Sequence, residues 1–177
     1  MSSEKVTAVI LAAGLGTRMK SPRAKVLHEL CGRPLVDFVI QAALSAGADD
    51  AVVVVGHQRQ ELCAHLQDRF GAHVRTAVQD EQRGTGHAVR CAMPALASDC
   101  KTALLLYGDT PLVLADDLAR LVSRPDETLL SMLTCRLDDP HGYGRIVRDE
   151  DGRIVAIREQ RDATKGERKI TEVNPGM

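Results

Sequence analysis

Short β-branched runs, glycine or proline punctuation and amphipathic stretches alternate along this chain. Thr7–Leu11 is a continuous apolar run, the pattern of a strand buried on both faces. Beyond a glycine-containing loop, Leu35, Phe38, Val39, Ala42, Ala43 and Ala46 recur at helical spacing between Pro34 and Gly47. Ala51–His57 reads as a second buried strand, Arg59–Phe70 as a helix and Val74–Gln79 as a third strand. Ala88, Cys91, Ala92, Ala95 and Leu96 form the next helical stripe, entered through "GTGHA". Thr102–Leu112 predicts a strand running into a loop, Ala115–Val122 a short helix and Thr128–Thr134 a fifth strand. "RIVR" and "RIVAIRE" flank an Asp-Glu-Asp-Gly turn and predict an antiparallel hairpin, the one departure from a mostly parallel sheet. Strands alternating with helices predict a three-layer α/β fold in a single domain over residues 1–177.

Aromatic residues make up only 2% of the chain, so the core must be aliphatic. The formal net charge of −1, with both signs interspersed, excludes the basic face of a nucleic-acid platform but not a site for a small phosphorylated ligand. Five cysteines lie dispersed, with no Cys-x-x-Cys pair, and read as core thiols of a reducing compartment. His28, His57 and His87 lack metal-ligand spacing. No signal-like leader and no run approaching the ~20 apolar residues of a spanning helix is present, so a cytoplasmic protein is expected, with no membrane partner.

The chemistry concentrates in "AVILAAGLGTRMKSPRAKVLHEL". A glycine turn after a buried strand lets backbone N–H groups approach an anion, and Arg18 and Lys25 follow it. Met19 stands where a dinucleotide fingerprint needs its third glycine, and no Gly-Lys-Ser/Thr closes a Walker loop. Lys20 and Arg23 read as solvated charges. Gln79 closes a strand with an amide that offers both a donor and an acceptor to a base edge. Asp109 follows a buried strand at the edge where open α/β sheets bind ligands; it suits either a metal ion or a turn.

"LAAGLGTRM", "KVLHEL", "VVVVGH", "EQRGTGHAV", "LLYGDTPL" and "GYGRIVR" follow one another in the order found in sugar-phosphate nucleotidylyltransferases. The chain resembles the uridyltransferase domain of one branch, the bifunctional N-acetylglucosamine-1-phosphate uridyltransferases / glucosamine-1-phosphate acetyltransferases. That resemblance implies a Rossmann-like nucleotidyltransferase fold, with UTP and N-acetylglucosamine 1-phosphate as substrates and Mg²⁺ as cofactor. It implies that Leu11, Ala12, Ala13 and Gly14 lie against the nucleotide, Arg18 neutralises pyrophosphate and Lys25 holds the α-phosphate. It implies further that Gln79, Gly84 and Thr85 surround the pyrimidine, although Thr85 also reads as a simple helix cap; Gln82 is a decoy in the same tract. Tyr107 and Gly108 lead to Asp109, the implied metal ligand. Gly144, Glu159 and Asn174 match the sugar-side contacts.

The chain departs from this pattern in three places. Ala24 replaces the usual proline before the lysine, and Pro175 replaces a small hydroxyl residue after Asn174. "ITEVNPGM" reads as a strand running into a loop, so the domain is expected to continue past Met177. The resemblance then implies that a second metal ligand, part of the sheet cover, the acetyltransferase β-helix and its trimer interface lie outside this chain.

Overall fold

The computed structural model describes residues 5–14, 16, 19, 21, 23–56, 59–123 and 128–175. It divides into two compact units, residues 1–125 and 126–177. In the first, β1 (Lys5–Leu11) leads through a loop to the short ribbon of β2 (Glu29–Leu30) and β3 (Arg33–Pro34). Then follow α1 (Leu35–Ser45), β4 (Asp50–Val55), α2 (Arg59–Phe70), β5 (Val74–Val78), α3 (Thr85–Ala92), β6 (Cys100–Tyr107) and α4 (Ala115–Val122). The strands pair in the order β5-β4-β1-β6, parallel throughout.

A parallel strand between two others has helices over both faces, which is why β1 and β4 are apolar without alternation. Val9, Leu11, Val52 and Val54 point to one face and pack with Ala88 and Ala92 of α3. The alternating positions Ala8, Ile10, Val53 and Val55 are equally buried on the opposite face, where α1 contacts both strands. Each such Val, Leu or Ile contributes about 1.5–3 kcal/mol by leaving water. Pro34, at φ −54, stands immediately before α1, and Gly47 follows its end at φ +103, as the sequence pattern predicts. Asp37, only 2% exposed, accepts a hydrogen bond from His65 of α2 at 2.6 Å and lies 3.9 and 3.8 Å from Arg33 and Arg69. That cluster satisfies a carboxylate that burial would otherwise penalise, and it ties α2 to the α1 side of the sheet.

All four parallel strands end on the same edge of the sheet, so the loops after Leu11, Val55, Val78 and Tyr107 gather there. β6 is an outer strand, and Leu105 on it is 39% exposed.

The second unit differs from the expectation in two respects. Residues 128–134 form no strand and join no sheet among the described residues; Leu129 and Leu130 are exposed. An apolar β-rich run becomes a strand only where a ladder partner exists. The expected hairpin forms as β8 (Gly144–Arg148) and β9 (Ile154–Arg158), turning at Gly152. It is not a lone antiparallel piece: β7 (Cys135–Arg136) and β10 (Glu172–Asn174) join it in an antiparallel sheet ordered β7-β10-β8-β9.

Arg148 braces this sheet. Its guanidinium donates to both oxygens of Glu172, at 2.9 and 2.6 Å, and Thr134 donates to the same carboxylate at 2.8 Å. The bidentate bond from Arg148 is the main cause that lowers the Glu172 pKa from 4.5 to about 2. A depressed carboxyl pKa contributes stability in full above about pH 4.5, and that contribution is lost as pH falls toward 2. Glu172→Gln should therefore flatten part of the fall in melting temperature between those values, followed by circular dichroism. An identical acid profile would contradict the assignment.

Candidate functional site

Asp109 follows β6 directly, past Gly108, whose N–H donates to the Leu11 carbonyl at 2.9 Å. Thr110 closes the turn by donating its hydroxyl to the Tyr107 carbonyl at 2.8 Å. This turn holds Asp109 beside the loop after β1. The side chain is one-quarter exposed and forms an ion pair with Lys25. Lys25 opens a 3-10 turn, Lys25–Leu27, whose Val26 and Leu27 are buried and anchor it. Gly16 explains the tightness of the loop. Its φ is +57, and a Cβ there would lie 2.9 Å from the Lys25 Cβ, so only glycine fits. Gly14 is exposed, with open space around its Cβ position. Together Gly14, Gly16, Lys25, Tyr107 and Asp109, with Leu11, Met19 and Val26, line a cleft of about 290 Å³.

Arg18 and Lys20 lie outside the described residues. Arg23 is an exposed charge, as expected, but it is also paired. It reaches Glu61 of α2 at 2.9 Å and Glu29 of β2 at 3.4 Å, and the hydrogen bond it donates to Glu61 raises its pKa further. These exposed pairs contribute no more than about 1 kcal/mol each, but they tether the loop that carries Lys25 at two points.

Ala24, just before Lys25, has φ −54 and ψ 134. Proline adopts that φ unstrained. Ala24→Pro should therefore raise unfolding stability by about 0.4–1 kcal/mol, mainly by restricting the unfolded chain. A denaturant midpoint that stays level or falls would contradict this.

On the neighbouring strand ends, Gln79 is buried, and its N–H donates to the Val55 carbonyl at 2.9 Å. Its side-chain amide donates to the Gly84 carbonyl at 3.2 Å and lies 3.1 Å from Nδ1 of His87. Thr85 does not cap α3. Gly84 occupies the N-cap position and no side chain caps the helix; Thr85 is its exposed first residue. Gln82 does more than its place in the tract suggests: its amide donates to the Ala13 carbonyl at 2.5 Å, bridging the loop after β5 to the glycine turn. Only the fold, which brings Ala13 beside Gln82, makes that bond visible.

The remaining residues gather in the second unit. Asn174 pairs with Gly144 in the β10–β8 ladder. A Cβ on Gly144 would lie 2.9 Å from Ile157 Cγ2 and 3.3 Å from Glu159 Oε1, so the missing side chain lets Glu159 close over the ladder. The structure thus brings Gly144, Glu159 and Asn174 together, and separately gathers Leu11, Gly14, Lys25, Tyr107, Gly108 and Asp109.

Residues 8–171 match the family described as the MobA-like NTP transferase domain. The chain belongs to that family. Its curated relatives include the bifunctional protein GlmU of Sorangium cellulosum, 57% identical over 97% of this chain, and that of Pelobacter propionicus, 48% identical over 98%. The chain spans 38% of the length of each, corresponding to their N-terminal nucleotidyltransferase domain. The inositol-1-phosphate CTP transferase of T. maritima shares the fold, with a TM-score of 0.77 at 19% identity over 99% of this chain and 70% of that one. Rv0371c from Mycobacterium tuberculosis H37Rv, in complex with manganese, has a TM-score of 0.53 at 21% identity over 68% of this chain and 59% of that one.

Nucleotidyltransferases commonly use divalent metals. Among the described residues no group of three or more His, Cys, Asp or Glu gathers to enclose an ion. A single carboxylate, one-quarter exposed beside the cleft, instead fits a cation that keeps most of its waters and shares substrate phosphates. None of the described helices is long and apolar enough to cross a membrane.

Proposed function

We propose that this chain transfers the uridylyl group of UTP to N-acetylglucosamine 1-phosphate with Mg²⁺, giving UDP-N-acetylglucosamine and pyrophosphate for cytoplasmic cell-wall precursor synthesis. The observation that carries this reading is the Lys25–Asp109 pair at the mouth of the glycine turn, within a chain of this family. A phosphate oxygen of the sugar phosphate attacks the α-phosphorus, and the bond from that phosphorus to the oxygen bridging to the β-phosphate breaks. No covalent enzyme intermediate and no general base are needed, so positioning and charge stabilisation are what the protein supplies.

Lys25 binds the α-phosphate, where negative charge builds up in the transition state. Arg18 neutralises the leaving pyrophosphate. The backbone from Leu11 to Gly14 lies along the nucleotide, Gln79 with Gly84 and Thr85 meets the base, and Gly144, Glu159 and Asn174 hold the sugar. Asp109 would hold Mg²⁺, which when bound offsets phosphate charge and aligns the reacting groups. The Lys25–Asp109 bond suits this exchange of partners. Lys25 is 42% exposed, so the pair is worth no more than about 1 kcal/mol and yields readily to phosphate.

Product analysis by mass spectrometry tests the reading. UTP with N-acetylglucosamine 1-phosphate should give UDP-N-acetylglucosamine, and replacing UTP by CTP, or the sugar phosphate by glucose 1-phosphate, should suppress product. Formation only from a different base or sugar would overturn the substrate assignment.

A further inference from the structure

The amide of Gln79 is held from two sides. Its Nε2 lies 3.2 Å from the Gly84 carbonyl oxygen and 3.1 Å from His87 Nδ1. A carbonyl only accepts, so the group facing Gly84 must be the amide NH₂. One hydrogen goes to Gly84; the other goes to His87 Nδ1, which must then carry its lone pair. The ring proton falls on Nε2, which faces Cys91 Sγ at 3.9 Å. The same Gly84 carbonyl accepts the Ala88 N–H at 3.2 Å, so the first turn of α3 fixes its direction. Both amide hydrogens are consumed within the protein, and what Gln79 has left to offer a ligand is its carbonyl oxygen.

This narrows the reading of Gln79 from a group that can donate or accept to an acceptor. Uracil presents a donor, N3–H, where cytosine presents the bare N3 acceptor. An oxygen aimed there attracts the first and repels the second. The discrimination depends on the amide not turning over, since a reversed amide would offer NH₂ to cytosine N3.

We infer that His87 is a positioning residue that sets base selectivity: through Nδ1 it holds the Gln79 amide so that its oxygen faces the base. The inference rests on the reading that Gln79 meets the base. His87 touches neither phosphate nor metal in this scheme, so its loss should alter the choice between nucleotides more than the affinity for triphosphate.

The test is calorimetric titration of the 177-residue chain with UTP and with CTP, each with Mg²⁺, for the unsubstituted chain, His87→Leu and His87→Asn. The unsubstituted chain should prefer UTP. Leucine removes the acceptor, and the UTP:CTP affinity ratio should fall about three- to tenfold, the worth of one hydrogen bond. Asparagine can place an oxygen near the Nδ1 position and should restore the ratio. A general loosening of the fold would weaken both nucleotides alike and leave the ratio unchanged. A ratio undiminished in His87→Leu overturns the inference, as does His87→Asn behaving no better than leucine. Absence of any UTP preference in the unsubstituted chain overturns the reading of Gln79 itself, and the inference falls with it.

Discussion

Lys25→Ala is expected to lower nucleotidyl transfer about 10²- to 10³-fold in kcat, the usual cost of removing one charge-stabilising group from a transition state. It should leave the fold almost untouched. Lys25 is 42% exposed, and its ion pair with Asp109 is worth about 1 kcal/mol at most. Buried Val26 and Leu27 hold the 3-10 turn without it. Pyrophosphate release, measured beside a thermal melt, separates the two effects. Equal turnover in the variant would remove Lys25 from the chemistry, whereas a large drop in melting temperature would make it a structural residue.

Asp109→Asn keeps the shape of the side chain and removes its charge. The expected result is a rise of at least about tenfold in the Mg²⁺ concentration giving half-maximal UTP binding; changes even to outer-shell partners of a metal cost 10- to 100-fold. The turn itself should persist, because the bonds that close it come from the Gly108 N–H and the Thr110 hydroxyl. A magnesium titration coinciding with that of the unsubstituted chain would assign Asp109 to pairing with Lys25 alone.

The elements most legible in the sequence are those whose own pattern suffices. The apolar runs of β1 and β4 are buried on both faces, and α2 and α4 fall on the residues their periodicity predicts, Arg59–Phe70 and Ala115–Val122. Residues 128–134 fail because strand propensity says nothing about a partner, and β7, two residues long, exists only through the ladder it joins; β10 falls within the strand that "ITEVNPGM" predicts. The same division runs through the site. Lys25, Asp109 and Gln79 are recognisable from their motifs and from the strand ends they follow. The bonds that position them are not: Gln82 to the Ala13 carbonyl, Arg23 to Glu61, and His87 to Gln79 each join chain segments that only folding brings together. Arg18 lies outside the described residues, and its role rests on the motif.

The claim that the glycine turn and Lys25 form a triphosphate cradle is tested most directly by titrating UTP and Mg²⁺ into the 177-residue chain and its Lys25→Ala variant, with heat of binding as the readout. The account predicts one UTP bound per chain, displaced by UDP-N-acetylglucosamine, with affinity at least about tenfold weaker in the variant, the loss of one charged contact worth about 1.4 kcal/mol or more. No binding by the unsubstituted chain, or equal binding by both, would contradict it.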